Sequence, residues 1–387
     1  MADMLRELAD NLPLDPQELK AIHDAAQKLV QKTETYRDIV ARVRDGSMSS
    51  MFAHVAMDLS IFRKLAAQPE HVYSIGELAD VTKADGTLLL RLLRYLASES
   101  LIQQVDEDSF KASRKTFIYA EYGTDSLIRC QTLVFAPFFN GIPAFFAANG
   151  YQNITDGKET VWQHSFGTDL GMFDWIRERP EELRVLHEVM QASRADQPSW
   201  VEKVPLDAIL GNSNSDRTLF VDIGAGTGHQ SMALRKRYPH LKGRVIIEDL
   251  PQVIDLLDQR QLRCLNIETL EHDFFTAQPS LVHGAKAYYL CQILHDWADT
   301  DCLTILKQIR SVMAEDSLLL LDDLVVPNIG ATAKICAMDL LMMTSLAGQE
   351  RSETQWEELL AEAGFGIQDI WRVWEETGNC LVVCVPV

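Results

Sequence analysis

The residues best suited to chemistry begin at Asp222-Ile223-Gly224-Ala225-Gly226-Thr227-Gly228-His229. This run follows the apolar segment TLFVDIG and opens the segment HQSMALRKRYP. A glycine loop between strand and helix is the setting in which a ligand can rest on backbone. Glycine lets the chain turn tightly and approach the ligand closely. The third glycine comes one residue too early for a G-x-G-x-x-G dinucleotide loop, and His229 stands where that loop would place glycine. GAGTGHQ contains no Lys or Arg, so nothing here calls for a pyrophosphate. The next requirement is an acid at the end of the following strand, to accept hydrogen bonds from ribose hydroxyls. Asp249 stands 27 residues after Asp222, in VIIEDLP. Glu248 competes with it, but alternation of strand sides and the Leu250-Pro251 that follows favour Asp249. Asp273 in EHDFF either reaches an adenine amino group or caps a turn. A glycine loop with such acids indicates an adenosine ligand without phosphates. S-adenosylmethionine fits, and its sulfonium cation suits an acidic pocket.

These residues need elements to hold them. From 216 onward, runs such as TLFVDIG, RVIIEDLP, KAYYLCQIL and SLLLLDDLVVP alternate with helical segments. Alternating strands and helices predict an α/β fold with a doubly wound, mostly parallel sheet. Ligands in such sheets sit beyond the carboxyl ends of the strands. SETQWEELLAEAG reads as a helix with an S-x-x-Q capping box at Ser352 and a closing Gly364. Two final β runs separated by Gly-Asn predict an antiparallel last strand. Asp299 or Asp301 is expected to cap DCLTILKQIRSVM, and no metal constellation is expected. On its own, His295 before Asp296-Trp297 reads as the neighbour of a helix cap.

Toward the start, Asp15-Pro16 predicts a helix start, and Leu19, Ile22, Ala26, Leu29, Val30 and Ile39 recur at helical spacing. Met51–Leu65 reads as amphipathic helix. Ser74-Ile75-Gly76-Glu77 is a capping box, Asp85 caps the Leu88–Leu96 stripe, and LIQQVDEDSFKAS reads as a hairpin. Helix, helix, hairpin is a winged-helix pattern. Residues 72–115 hold six Lys/Arg against seven Asp/Glu, so a packing or dimerisation module is expected rather than a DNA reader. Residues 120–200 read as mostly helical and aromatic-rich, forming a satellite core or the wall of an apolar pocket. The expected division is 1–120, 121–200 and 201–387.

The chain has 387 residues, 36 Lys/Arg and 56 Asp/Glu, for a net charge of −20. That acidity argues against nucleic acid and against an anionic membrane as partners. No stretch reads as approaching the roughly 20 apolar residues that span a bilayer, and Met1–Leu12 does not read as a signal peptide. Seven scattered cysteines without a CxxC pair predict neither disulfides nor structural zinc, and a reducing cytosol is expected.

The motif set LLLRLLRYLASESLI, VDIGAGTGHQS, EDLPQVI, HDFF, ILHDWAD and GQERSETQWEELLAEAGF resembles the class I S-adenosylmethionine-dependent O-methyltransferases of plants and fungi that act on small molecules. The resemblance spans about 60–387. It implies a Rossmann-like cofactor domain behind an N-terminal winged-helix dimerisation domain, hence a homodimer and a small aromatic or polyketide-type acceptor. By this resemblance, Asp222, Gly224, Gly226, Gly228, Asp249, Leu250, Asp273 and Phe274 hold the cofactor. His295 becomes the base, with Asp323 and Glu350 as its orienting acids, and Asp296 is a further catalytic candidate. Phe173, Met190, Arg194, Gln292, Lys334, Met338 and Met342 are candidates for the acceptor pocket. One departure stands out: Cys291 occupies the place, four residues before the base, where many relatives carry Lys or Arg. That opens a second expectation, since some fungal proteins of this fold catalyse dehydration and pericyclic cyclisation with the cofactor bound only as a charge.

Overall fold

In the computed structural model, residues 4, 5, 8, 12, 15–195, 199–210, 217–374 and 378–387 are described, except for the side chains of 16, 191–195, 207 and 208. The chain divides into two compact units, Met1–Thr132 and Leu133–Val387. The 121–200 segment expected to stand apart is shared between them.

In the first unit, Asp15 caps the helix Pro16–Thr33 by accepting from the Glu18 N–H at 2.8 Å. The apolar spacing that continues to Ile39 belongs to a second helix, Tyr36–Asp58, because Thr35 and Asp38 form a capping box that restarts the chain. The helix expected over 51–65 is likewise cut, at Ser60, whose φ is 54°; a new helix runs Ile61–Ala67. Ser74 and Glu77 form the predicted capping box of Ile75–Thr82. Asp85 caps Gly86–Ser98, whose Leu89, Leu92, Leu93 and Leu96 are buried. Strands β1 (Tyr73–Ser74), β2 (Ile102–Asp106) and β3 (Ser109–Ala112) form an antiparallel sheet in the order β1-β3-β2.

A helical run from Tyr122 to Ala148, with a π turn at Gln131–Phe135, is long and apolar enough to cross a membrane by length and composition. The sequence reading missed it because Gln131, Thr132, Asn140 and Gly141 interrupt the apolar residues. Core helices of soluble proteins pass the same test.

The second unit is built on strands β4 (Thr218–Ile223), β5 (Arg244–Asp249), β6 (Ile267–Glu271), β7 (Ala287–Cys291), β8 (Leu318–Val326), β9 (Arg351–Ser352), β10 (Phe365–Trp374) and β11 (Asn379–Pro386). Their order is β10-β11-β8-β7-β4-β5-β6, with β9 pairing beside β8. β4 through β8 run parallel, and β11 lies antiparallel between β8 and β10. All six side chains of β4 are buried. Val221 and Ile223 enter one apolar layer, with Leu290, Leu321 and Trp356; Leu219 and Phe220 enter the other, with Trp200 and Tyr289. Strand order reverses between β4 and β7. The crevice beyond their carboxyl ends is where such sheets bind ligands, and the glycine loop and His295 both emerge there.

Candidate active site

The glycine loop is held in shape by β5. The Gly224 and Ala225 N–H groups both donate to the Glu248 carbonyl oxygen, at 2.9 and 3.2 Å. Gly224, Gly226 and Gly228 have φ of 67°, 55° and 70°, the left-handed region that glycine enters without strain. A Cβ on Gly224 would stand 2.7 Å from the Ile293 side chain, while one on Gly226 meets nothing within 4 Å. The loop is therefore tight underneath and open at its middle.

Strand alternation separates the two neighbouring acids. Glu248 is buried, 1% exposed, beside Gln278, and burial pushes its carboxyl up to about 8. Asp249 turns to the loop, accepting from the Gly226 N–H and the Leu250 N–H, both at 2.8 Å. Each of its oxygens keeps a lone pair for a further donor. Asp222 points inward instead, 1% exposed, and accepts from the Ser231 hydroxyl at 2.7 Å; burial lifts its carboxyl to about 7. Its part is to tie the loop to the helix His229–Arg237. Asp273 accepts from the Phe275 N–H at 3.0 Å, which is the turn-capping geometry. Phe274 lies against Gly224 and meets Trp297 edge-on at 6.1 Å. The donors, the turned acid and the open loop fit an adenosine-bearing cofactor. Asp249→Ala is expected to raise its dissociation constant roughly tenfold to a hundredfold, the loss of one or two charge-assisted hydrogen bonds, read by calorimetry.

His295 lies in the 3-10 turn Leu294–Asp296 that follows β7. Its Nδ1 is 2.8 Å from Glu350 Oε1 and 3.9 Å from Asp323 Oδ1, and its Nε2 is 3.4 Å from Asp296 Oδ1. A carboxylate on Nδ1 assigns the hydrogen to that nitrogen and leaves Nε2 to accept a proton. Burial, the largest single influence, opposes the imidazolium, but Asp296, Glu350 and Asp323 together outweigh it and raise the pKa from 6.5 to about 10. Burial also raises Asp323. Among the described residues, neither oxygen of Asp323 nor Oε2 of Glu350 has a hydrogen-bond partner. Among the described residues, His295, Asp323 and Glu350 form one group whose donor atoms lie within 4.8 Å of one another, close enough to consider for a metal ion. The 2.8 Å contact already turns two of those donors on each other.

Residues 348–351 close over the His295 turn, and sequence reasoning missed all of this group except Glu350. The Gln349 N–H donates to the His295 carbonyl oxygen at 2.9 Å. A Cβ on Gly348 would fall on that oxygen and within 2.9 Å of the Asp296 carbonyl carbon. Arg351 takes the Asp299 carboxylate at 2.7 Å, which corrects the expectation that Asp299 or Asp301 caps the helix. Asp299–Arg310 begins with Ala298 at the cap position and no side-chain cap. No local signal marks Gly348 or Arg351 for this part, because their partners lie about 50 positions away in the chain.

The remaining candidates are spread more widely. Met338 and Met342 lie on the helix Ala333–Leu346, which packs against the His295 turn; Met342 is buried and Met338 half-buried. Lys334, in the first turn of that helix, is exposed. Gln292 has φ of 51° and its N–H donates to the Asp322 carbonyl oxygen. Phe173 and Met190, 39% and 48% exposed, lie on helices that pack on each other. Arg194 belongs to the helix Pro180–Ala195, but its side chain lies outside the described residues. Cys291 lies 3.5 Å from Asp322 Oδ2, which also accepts from the Tyr289 hydroxyl at 2.6 Å.

Residues 150–366 match the O-methyltransferase domain family. Demethylsterigmatocystin 6-O-methyltransferase of Aspergillus flavus is 36% identical over 90% of this chain and 88% of its own length. The O-methyltransferase lepI of the same species is 35% identical over 94% of this chain and 92% of its own length. Among solved structures, LepI in complex with S-adenosylmethionine has a TM-score of 0.86 at 33% identity, covering 100% of this chain and 98% of that one. A structure described as a pericyclic reaction enzyme gives 0.86 at 32%, with the same coverage. With its glycine loop, its turned Asp249 and this extent of similarity, the chain belongs to the S-adenosylmethionine-dependent O-methyltransferase family.

Proposed function

We propose that this protein transfers a methyl group to a hydroxyl of a small aromatic or polyketide-type secondary metabolite, with His295 as general base. The observation that carries this reading is the buried 2.8 Å contact between His295 Nδ1 and Glu350, beside the glycine loop. S-adenosylmethionine supplies an electrophilic methyl on a sulfonium when bound. The loop glycines approach it, Asp249 takes the ribose hydroxyls, and Phe274 flanks it. His295 Nε2 removes the acceptor's hydroxyl proton, and Glu350, Asp323 and Asp296 stabilise the imidazolium. A phenol, with an ordinary pKa near 10, is closely matched to such a base. Met338 and Met342 wall the acceptor, their thioethers adapting to ring edges. Labelled S-adenosylmethionine incubated with a panel of phenolic and polyketide acceptors tests the reading. Bound cofactor with no label moved to any acceptor would sink it.

The likeness to a pericyclic reaction enzyme favours a second reading. There the cofactor is held as a fixed charge, and His295 and Asp296 activate a carbonyl or hydroxyl. Turnover of a polyketide-alkaloid substrate without label transfer marks that outcome.

We further propose that the first unit is a winged helix that pairs two copies of the chain. The order helix, strand, helix, helix, hairpin supports the first part. For the second, Tyr36, Val40, Val43, Met51 and Val55 are all exposed along Tyr36–Asp58. A monomer seldom leaves such a stripe uncovered. Light scattering is expected to give about twice the 43.7 kDa chain mass, and Val43→Asp with Met51→Asp to return it to one chain. We also propose that the chain works in a reducing cytosol, because its seven scattered cysteines include no CxxC pair.

A further inference from the structure

We propose that Arg351 is a positioning residue for His295; this rests on His295 acting as the base of the reaction proposed above. Arg351 is 1% exposed, which is unusual for a residue that is almost never fully buried unless paired. Its Nη1 donates to the Leu294 carbonyl oxygen at 2.8 Å, and its Nη2 to the Trp297 carbonyl oxygen at 3.1 Å. Those two carbonyls bracket His295 and Asp296. Its Nε and Nη2 also meet Asp299 Oδ1 at 3.1 and 2.7 Å. The guanidinium lies 5.3 Å over the Trp356 ring, which fixes its plane.

Strand alternation makes this arrangement economical. Arg351 begins β9, which pairs with β8 at Val325. Successive side chains on an extended segment point to opposite sides. Glu350 therefore reaches the imidazole ring while Arg351 reaches the backbone on either side of it. One short segment fixes both the ring's hydrogen bond and the turn that carries the ring. Arg351 also opposes the upward shift of the buried Asp323 carboxyl, helping to keep it charged beside the imidazole. A lysine could not do the same, because it lacks the planar fork that spans two carbonyls at once.

The test uses Arg351→Lys and Asp299→Ala in the full chain. Asp299 is 62% exposed on its side chain, so its loss loosens Arg351 without opening the core. Readouts are kcat, KM for the acceptor, cofactor affinity, and the titration of the His295 ring by nuclear magnetic resonance. Arg351→Lys is expected to lower kcat about a hundredfold, the scale of a 1 Å misplacement, with cofactor affinity unchanged. Asp299→Ala is expected to give a smaller loss in kcat. In both, the His295 titration midpoint falls toward its ordinary value as the carboxylate cage loosens. A residue that served the fold alone would lower thermal stability and leave the midpoint in place. If Arg351→Lys does not fold, Asp299→Ala decides by the same readouts. Wild-type kcat and an unmoved midpoint in the variants that fold overturn the proposal. If the wild-type protein moves no methyl to any acceptor, the functional reading fails separately, and the titration alone still decides the part played by Arg351.

Discussion

Replacing His295 with alanine is expected to lower methyl transfer by about 10²–10⁴-fold, the usual contribution of a positioned general base, while cofactor binding stays intact. The ring does not support the glycine loop, so a calorimetric titration separates lost chemistry from lost binding. The pH profile carries further information. In the protein without cofactor, three carboxylates hold the imidazolium up to about 10. A base works only when neutral, so a raised pKa means activity climbs as pH rises through it. The acid limb of the rate is therefore expected above the ordinary histidine value of about 6.5. Asp296→Asn and Glu350→Gln each remove a stabilising charge, so each moves that limb to lower pH. The sulfonium cation works in the same direction, disfavouring a second positive charge nearby. The limb measured in turnover is thus expected below the midpoint measured for His295 in the cofactor-free protein. A limb that stayed put in both variants would contradict the assignment of these carboxylates.

Gly348→Ala is expected to be nearly as damaging, although residue 348 carries no functional group. Its new methyl would fall on the His295 carbonyl oxygen and crowd the Asp296 backbone. Neither neighbour is a flexible side-chain tip, so the backbone of the turn must move. A displacement near 1 Å at the base costs about 10²-fold in rate, and overpacking costs about 1–3 kcal/mol in stability. Gly46 is the matched control. It lies within Tyr36–Asp58, and a Cβ there meets nothing within 4 Å. Gly46→Ala is expected to stabilise the helix by about 0.5–1 kcal/mol. Kinetics and thermal melts of the two variants side by side separate a steric effect at the site from a general intolerance of alanine. Wild-type kcat in Gly348→Ala would show that the turn absorbs the methyl.

What could be read from the residues followed the range of the interactions. Caps at Asp15, Ser74, Asp85 and Ser352 depend on neighbours three positions away, and each is present as read. Strand alternation separated Asp249 from Glu248 for the same reason. The antiparallel last strand followed from a short link between β runs. The helix breaks at Thr35 and Ser60 were passed over because apolar spacing continues across them. His295 carried no decisive local signal, and only the resemblance singled it out. Asp222 was read as facing the ligand, but Ser231 on the next helix turns it inward. Arg351 and Gly348 were invisible because their partners arrive through the sheet. Charge and glycine have surface explanations by default until the fold brings a distant backbone against them.

The position of β11 bears on how this protein comes into being. Its Cys380 and Leu381 stand opposite Asp323 and Asp322 of β8. Until residues 379–386 have been synthesised, β8 has an open edge, and the strand that carries Asp323 is covered on one side only. Pairings between distant segments also form slowly, since loop closure precedes any reward. The emerging chain must therefore carry an unfinished sheet edge from the synthesis of β8 until that of β11, in the state most prone to pair with other chains. Competence of the site and closure of that edge arrive in one late event, so a truncated or stalled product would be sticky and inert together.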